Sequence, residues 1–208
     1  MQPHATYTTA DVINTFLRDF APVVSALPGF EEYLGSIVNN SYNFFFNVFE
    51  TTDEATTATD AVRNFYQTSV LSGQISPVIF FAGTYYFYFF SMPQVSVAGR
   101  YLSVRYWELL PGATYSTEDV LNAFKEGFAP QVITFPGFRE YAGISLTGDS
   151  NHVLFYNVFD TLEEATAANT AAKSFVASGP LASQIQLVIA FTSAAVYDIT
   201  CPCERTTV

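Results

Sequence analysis

The chain has 208 residues, of which 50% are hydrophobic and 17% aromatic, so it is long enough for one or two domains with well-filled cores. Its formal net charge is −11, with only eight lysines and arginines in total. This balance excludes nucleic-acid binding through the phosphate backbone and disfavours anionic membrane surfaces. The most apolar run, residues 78–90, is too short for a spanning helix, so we predict no membrane span.

Two similar segments follow one another along the chain. At an offset of 108, residues 5–35 match residues 113–143 at 18 of 31 positions. Beyond this block the offset becomes 110, and Asn47 then corresponds to Asn157. Agreement of this kind far exceeds chance, so we predict a tandem duplication. The predicted boundaries are residues 1–94 for the first repeat, 95–200 for the second repeat and 201–208 for a C-terminal tail.

The first repeat opens without a strand, because residues 1–4 correspond only to the turn that follows the first strand of the second repeat. A helix with Thr8 at its N-cap comes next. A hairpin follows, then a second helix that begins with a capping box at Thr51, and then an apolar last strand over residues 78–90. The missing strand would be an inner one. We therefore expect either that the polypeptide extends upstream or that a strand from elsewhere fills the gap, including by self-association through the incomplete first sheet.

The second repeat is complete. Residues 101–109 are rich in β-branched and aromatic residues, which predicts a strand. Ser116 is the predicted N-cap of the first helix, and a hairpin follows, with strands over residues 144–146 and 152–159. A capping box at Thr161 opens the second helix, and a last strand runs from about residue 186 to residue 199. The order βαββαβ predicts an α+β fold of two ferredoxin-like repeats.

The final strands of both repeats bear on how the repeats pack. Residues 78–90 and 187–197 are apolar at nearly every position, which is typical of strands buried on both faces. A ferredoxin-like unit has helices on only one face of its sheet, so the other face must be covered. We predict that the two sheets pack on each other as an intramolecular dimeric α+β barrel with the helices outside.

Three segments of the second repeat resemble a known family. They read PGFREY at residues 136–141, VFDTLEEA at residues 158–165 and ANTAA at residues 168–172. The pattern resembles the antibiotic-biosynthesis-monooxygenase-like (ABM) dimeric α+β barrel family, over roughly residues 5–90 and 101–199. The resemblance implies the barrel and a pocket between sheet and helices in each lobe. Family members that are enzymes commonly oxidise aromatic polyketide-like substrates without a metal or organic cofactor. Some relatives degrade haem, and many have no known activity.

The polar candidates for a ligand site lie on strands of the second repeat. Alternation along residues 101–109 puts Arg105 and Trp107 on one face. A buried arginine needs a partner, which is either a protein carboxylate or an anionic or enolate oxygen of a ligand. Asn157 is expected on the opposite face of its strand from the site. Its buried amide either orients a ligand carbonyl or satisfies a backbone group at an edge or bulge, and we favour the structural role. We predict a ligand-binding site formed by Arg105, Trp107, Tyr156 and His152, with unknown catalytic residues.

No motif for a metal or cofactor occurs in the sequence. Cys201 and Cys203 lack the spacing of a zinc site and are interpreted as free or intermolecularly paired thiols. His152 opens a strand, so a base and a half-exposed strand-end residue are both open interpretations. We therefore predict no cofactor and no metal. A glycosylation sequon that begins at Asn39 favours secretion over the cytoplasm, while no signal peptide is visible after Met1.

Two functions follow from these features. The first is a barrel that binds a small apolar or aromatic molecule; if it is an enzyme, it is a cofactor-independent, monooxygenase-like oxidoreductase. The second is a non-enzymatic structural or assembly protein built from a duplicated barrel. The missing first strand and the few titratable groups on the apolar strands favour the second function.

Overall fold

The computed structural model describes residues 7–39, 42–72, 74, 81–91 and 99–200. Seven strands in this part of the chain form a closed barrel, in the order β1-β2-β3-β5-β6-β4-β7. The predicted α+β barrel is confirmed. The strands are β1 (Phe30–Asn39), β2 (Tyr42–Phe49), β3 (Phe81–Phe90), β4 (Tyr101–Leu109), β5 (Phe138–Leu146), β6 (His152–Phe159) and β7 (Ile185–Thr200).

Each half of the chain contributes one bent helical segment and one long helix. The long helices begin at the predicted capping boxes of Thr51 and Thr161. Each bent segment has a π-helical turn that ends just before Ala-Pro, because proline has no N–H to continue the regular hydrogen-bond ladder. The helical elements are α1 (Thr9–Thr15), a π turn (Phe16–Phe20), α2 (Ala21–Val24), α3 (Thr52–Thr68), α4 (Thr117–Ala123), a second π turn (Phe124–Phe128), α5 (Ala129–Val132), α6 (Leu162–Ser178) and a 3-10 turn (Pro180–Ser183).

The two halves join at two antiparallel seams. β3 pairs with β5, and β7 pairs with β1. β7 is long enough to serve both halves, since residues 185–194 pair with β4 and its later residues pair with β1. The halves are therefore joined by strand hydrogen bonds into one continuous closed sheet, whereas sequence analysis predicted two sheets packed face to face.

The side chains of the strands divide between two environments. Because they alternate along a strand, one set fills the barrel interior, including Leu34, Val104 and Leu154, which are fully buried. The other set lies beneath the helices. There Phe16 and Phe20 anchor the helices of the first half, and Phe124 and Phe128 anchor those of the second half.

The halves differ at the centre of their sheets. In the second half, β4 lies between β6 and β7 and pairs with both. In the first half, β2 and β3 pair directly, in parallel, over residues 46–48 and 81–83. No strand separates them in the part of the chain that the structure describes. The expected gap is thus closed at these three positions, and the barrel has seven strands.

Several predicted elements differ in their bounds. The hairpin strand expected over residues 144–146 is the longer β5, because β3 and β6 pair with it on both edges. Of the predicted strand over residues 78–90, the structure describes the part from Phe81 onward. Three features lie outside the described residues: the tail with Cys201 and Cys203, the predicted boundary between residues 94 and 95, and residues 40 and 41 of the sequon. None of the described helices is long and apolar enough to span a membrane.

Candidate functional site

Arg105 lies in the middle of β4, on the face that the helices cover. Its side chain is fully buried. The guanidinium donates hydrogen bonds to three neutral groups: Nη2 donates to Oδ1 of Asn157, and Nη1 donates to Oγ of Ser103 at 3.3 Å and to Oδ1 of Asn169 at 3.5 Å. Among the described residues, the hydrogen bonds to this charge therefore come from neutral groups.

The electrostatics of Arg105 are unfavourable in this arrangement. Among the described residues, no carboxylate forms an ion pair with it. Burial lowers the pKa of Arg105 to about 10, and the nearby Tyr141 opposes this shift only in part. A buried charge without an opposite charge costs several kcal/mol in general. An anion beside the guanidinium would offset that cost.

Four buried polar atoms around this position make no hydrogen bond within the described structure. They are Nε of Arg105, Nε1 of Trp107, the hydroxyl of Tyr141 and Nδ2 of Asn157. All four can donate a hydrogen bond, and three of them cannot accept one. Buried polar groups are normally satisfied, and within the described residues these four donors have no acceptor.

Aromatic rings border the guanidinium. The Phe128 ring centroid is 6.0 Å from Cζ of Arg105, within reach of a weak cation–π contact. Phe128 packs edge-on against Tyr141, with their ring centroids 5.7 Å apart. Phe124 lies 6.2 Å from Trp107 and 4.2 Å from Phe155 between ring centroids. The second π turn supplies both Phe124 and Phe128, so this irregular turn shapes the apolar side of the site.

Asn169 is the functional candidate that sequence analysis missed. It is buried on the inner face of α6, four residues after Ala165. Its Nδ2 donates to Oγ1 of Thr192 at 3.0 Å and to the Phe191 carbonyl at 3.2 Å. These two bonds direct Oδ1 towards Arg105. The helical spacing of an amide within the buried alanine face was the signal that could have identified it.

Tyr156 lies on the other side of the sheet. Its hydroxyl donates to Oε2 of Glu32 at 2.7 Å inside the barrel, and lies 3.1 Å from the Tyr85 hydroxyl. Burial, and then the charge of Glu32, raise the pKa of Tyr156 well above its ordinary value. The predicted grouping of Tyr156 with Arg105 is corrected, and Asn157 takes its place. In the β4–β6 register Asn157 is opposite Ser103, on the Arg105 face.

His152 is also remote from Arg105. It begins β6, where its ring stacks on Tyr106 with centroids 4.7 Å apart. Its Nδ1 lies 2.8 Å from Oδ2 of Asp149. Burial, and then the charge of Asp149, raise the pKa of Tyr106 to about 12. The structure therefore brings Arg105 and Trp107 together under the helices, and leaves His152 and Tyr156 on the opposite face. No group of three or more potential metal-ligating side chains occurs among the described residues.

Comparison with known proteins supports the fold. One solved structure, of an anthrone oxidase-like protein, superposes with a TM-score of 0.61 over 94% of this chain and 90% of its own chain. The sequence identity is 13%, so the likeness extends to the α+β barrel alone. No protein-family model matches the chain, and no curated protein matches it. The barrel class is thus established, while the resemblance to the ABM family stays a prediction.

Proposed function

We propose that the second half of the barrel binds a small, apolar or aromatic molecule that carries an anionic oxygen. The observation behind this proposal is the fully buried Arg105, which has no carboxylate partner among the described residues. A deprotonated phenol, enol or carboxylic acid supplies the missing negative charge. Such a ligand accepts hydrogen bonds from Nε of Arg105, Nε1 of Trp107 and the Tyr141 hydroxyl.

The aromatic surroundings favour a planar ligand. On the helix side, Phe128 lies near the guanidinium and Phe124 lies near Trp107, and ring-to-ring contacts contribute beyond apolar burial alone. Ligand sites commonly combine such an apolar lining with a few polar groups that fix orientation. Asn157 and Asn169 orient the guanidinium from opposite elements of the fold.

We propose further that the chemistry, if the ligand is a substrate, is oxidation without a cofactor. An aromatic ketone with an acidic CH2 group ionises to an enolate, which Arg105 stabilises by charge. Dioxygen then converts the CH2 to C=O with release of one water molecule, so that both oxygen atoms are used. The likeness to an anthrone oxidase-like protein supports this reaction class. Among the described residues, the hydrogen-bond partners of Arg105 include no carboxylate or imidazole, so the proposed substrate is one acidic enough to ionise once bound.

The arrangement of the barrel is proposed to derive from two ferredoxin-like repeats. The equivalent seams β3–β5 and β7–β1 support this origin, as do the shared positions of the capping boxes and π turns.

A structural or assembly role remains the second candidate. The filled barrel interior favours it, because side chains such as Leu34, Phe46 and Tyr156 leave less than 2% of their surface exposed.

An absorbance titration of 4-nitrophenol tests the site. Bound beside Arg105, the phenolate is stabilised, so the apparent pKa of the probe should fall by about one unit or more, which corresponds to about 1.4 kcal/mol. Arg105→Met should abolish this shift. The matched control is Arg139→Met, which removes an arginine paired with Asp160 outside the site and should leave the shift intact.

The sole tryptophan, Trp107, should report binding by fluorescence. Unchanged emission across a panel of planar phenols and ketones would rule out a site at this position.

A further inference from the structure

We propose that the β2–β3 junction in the first half of the barrel is a docking site for an extended strand that carries an arginine. The junction is the short parallel contact of residues 46–48 with residues 81–83. The strand would insert between β2 and β3, antiparallel to both, and convert the seven-stranded barrel into an eight-stranded one. This inference concerns the first half and does not depend on ligand binding in the second half.

The strand register supports this insertion. In the second half, Ser103 of β4 is opposite Asn157 on one side and Thr192 on the other. Subtracting 110 from those two flanking positions gives 47 and 82, and Asn47 is paired directly with Ala82. The flanking residues are thus in the same alignment in both halves, with β4 present in one and omitted in the other.

The same correspondence holds for the other two pairs of the junction. Val104 is opposite both Tyr156 and Phe191, and positions 46 and 81 are paired directly. Leu102 is opposite both Val158 and Ser193, and positions 48 and 83 are paired directly. A three-residue parallel contact therefore stands where the second half has two long antiparallel ladders. Parallel pairing is slightly less stable per residue than antiparallel pairing. Replacement of the short parallel contact by two antiparallel ladders is therefore favourable.

Asn47 indicates which side chain the inserted strand carries. Its side chain is 5% exposed, and its Oδ1 accepts no hydrogen bond from any described residue. Oδ1 of the matching Asn157 accepts a hydrogen bond from Arg105, which β4 provides. A buried acceptor without a donor is destabilising. An arginine on the inserted strand would satisfy it.

The surroundings of Asn47 also match those of Arg105. Phe20 packs edge-on against Tyr33 with centroids 5.6 Å apart. Phe128 and Tyr141 have the same contact at 5.7 Å in the second half. The first half therefore has the acceptor and the aromatic pair that surround a guanidinium, without the guanidinium itself.

These correspondences define the occupant by its chemistry. It is an extended strand with the pattern of β4: an arginine opposite Phe45, an aliphatic residue opposite Phe46 and a small residue opposite Asn47. Phe45 is the position that matches Phe155, the partner of Arg105. The occupant is a strand of a separate polypeptide, because β4, the described strand of this chain with that pattern, is already paired along both edges within its own barrel.

A labelled peptide with the sequence of residues 100–110 tests the proposal by fluorescence anisotropy against the 208-residue protein. We expect saturable binding. Replacement of the central arginine of the peptide by alanine should weaken binding by about tenfold, equivalent to about 1.4 kcal/mol. Asn47→Ala in the protein should weaken it similarly. Asn64→Ala, on an exposed face of α3, is the matched control and should have no effect. Hydrogen exchange should slow at residues 44–48 when the peptide binds.

Light scattering at the same protein concentrations identifies the source of the occupant. A monomer that binds the peptide supports a separate polypeptide. A dimer that dissociates as the peptide binds would instead identify a second copy of the chain and would overturn the assignment to a separate polypeptide. If the protein does not bind the peptide, whatever its oligomeric state, the proposal is overturned. Binding that a scrambled peptide reproduces overturns it equally.

Discussion

Tyr156 and Glu32 join the two halves of the protein across the barrel interior, through a hydrogen bond of 2.7 Å from the phenol to Oε2 of the carboxylate. Tyr156 is on β6 and Glu32 is on β1, and these strands are not neighbours in the sheet. Tyr85, on β3, donates to the same oxygen. One buried carboxylate thus connects three strands, so this contact should matter for stability and not for ligand binding.

Tyr156→Phe should lower the free energy of unfolding by about 1–3 kcal/mol, because it removes a donor from a buried carboxylate. Urea denaturation followed by circular dichroism measures this change. Tyr141→Phe is the matched control, since the Tyr141 hydroxyl makes no hydrogen bond in the described structure; it should cost less than about 1 kcal/mol. Equal losses from both substitutions would contradict the assigned role of the Tyr156–Glu32 bond.

Arg105→Met should leave the free energy of unfolding unchanged or raise it by up to about 3 kcal/mol. The substitution removes a buried charge that has no opposite charge among the described residues, and methionine fills a similar volume. We expect this gain to equal or exceed the cost of leaving Oδ1 of Asn157 without its donor. Arg139→Met should instead lower stability by about 0.5–1 kcal/mol, because it breaks a partly exposed ion pair with Asp160. Strong destabilisation by Arg105→Met would mean that the arginine is structural. A stable variant that no longer binds the phenolate would support a functional role.

Alkaline pH should destabilise the fold through its buried phenols. Burial raises the pKa of Tyr141 and of Tyr156 in the folded protein. Each phenol therefore ionises first in the unfolded chain, at about pH 10. The stability that each contributes is fully present below that pH and is lost as the pH rises towards the folded pKa. The slope should be about −1.4 kcal/mol per pH unit for each phenol. Unfolding curves between pH 9 and 11 (on the order of the range in which free tyrosine titrates) measure it.

The Tyr156→Phe variant checks the assignment of this slope, because it should show a shallower decline than wild type. Arg105 acts in the opposite direction, since burial lowers its pKa to about 10. The cost of its charge is relieved as the pH rises above that value. If the free energy of unfolding rose with pH across the same range, the effect of Arg105 would outweigh that of the buried phenols, contrary to this prediction.

Gly137→Ala should destabilise the protein more than Gly112→Ala. Both glycines have positive φ, +65° and +82°, so both alanines are strained to a similar degree. A Cβ at Gly137 would also clash with Oε2 of Glu164, which accepts a hydrogen bond from the Thr161 backbone in the capping box of α6. Gly112 has no atom within 4 Å. The difference between the two variants should be about 0.5–2 kcal/mol, the usual contribution of an N-cap, in thermal or urea denaturation. Equal effects would mean that Glu164 moves away without cost.

Local sequence signals identified most of the secondary structure. The N-cap of α4 at Ser116 and the bounds of β4 agree with the sequence analysis, because capping and β-propensity depend on near neighbours in the chain. The sequence also predicted a burial problem for Arg105 from its place among apolar residues. It could not determine the partners of Arg105, since these come from β6 and α6.

By itself, the sequence determined the elements, the α+β barrel and the acidic character of this protein, because composition and periodicity are local properties. Tertiary structure alone decided which face of β6 meets Arg105. A shift of the strand register by one residue would move every side chain of the strand to the opposite face of the sheet. This is why Asn157 lies beside Arg105 while Tyr156 lies beside Glu32. Tertiary structure also decided how β2 and β3 meet, because that contact depends on how the whole sheet closes around the barrel.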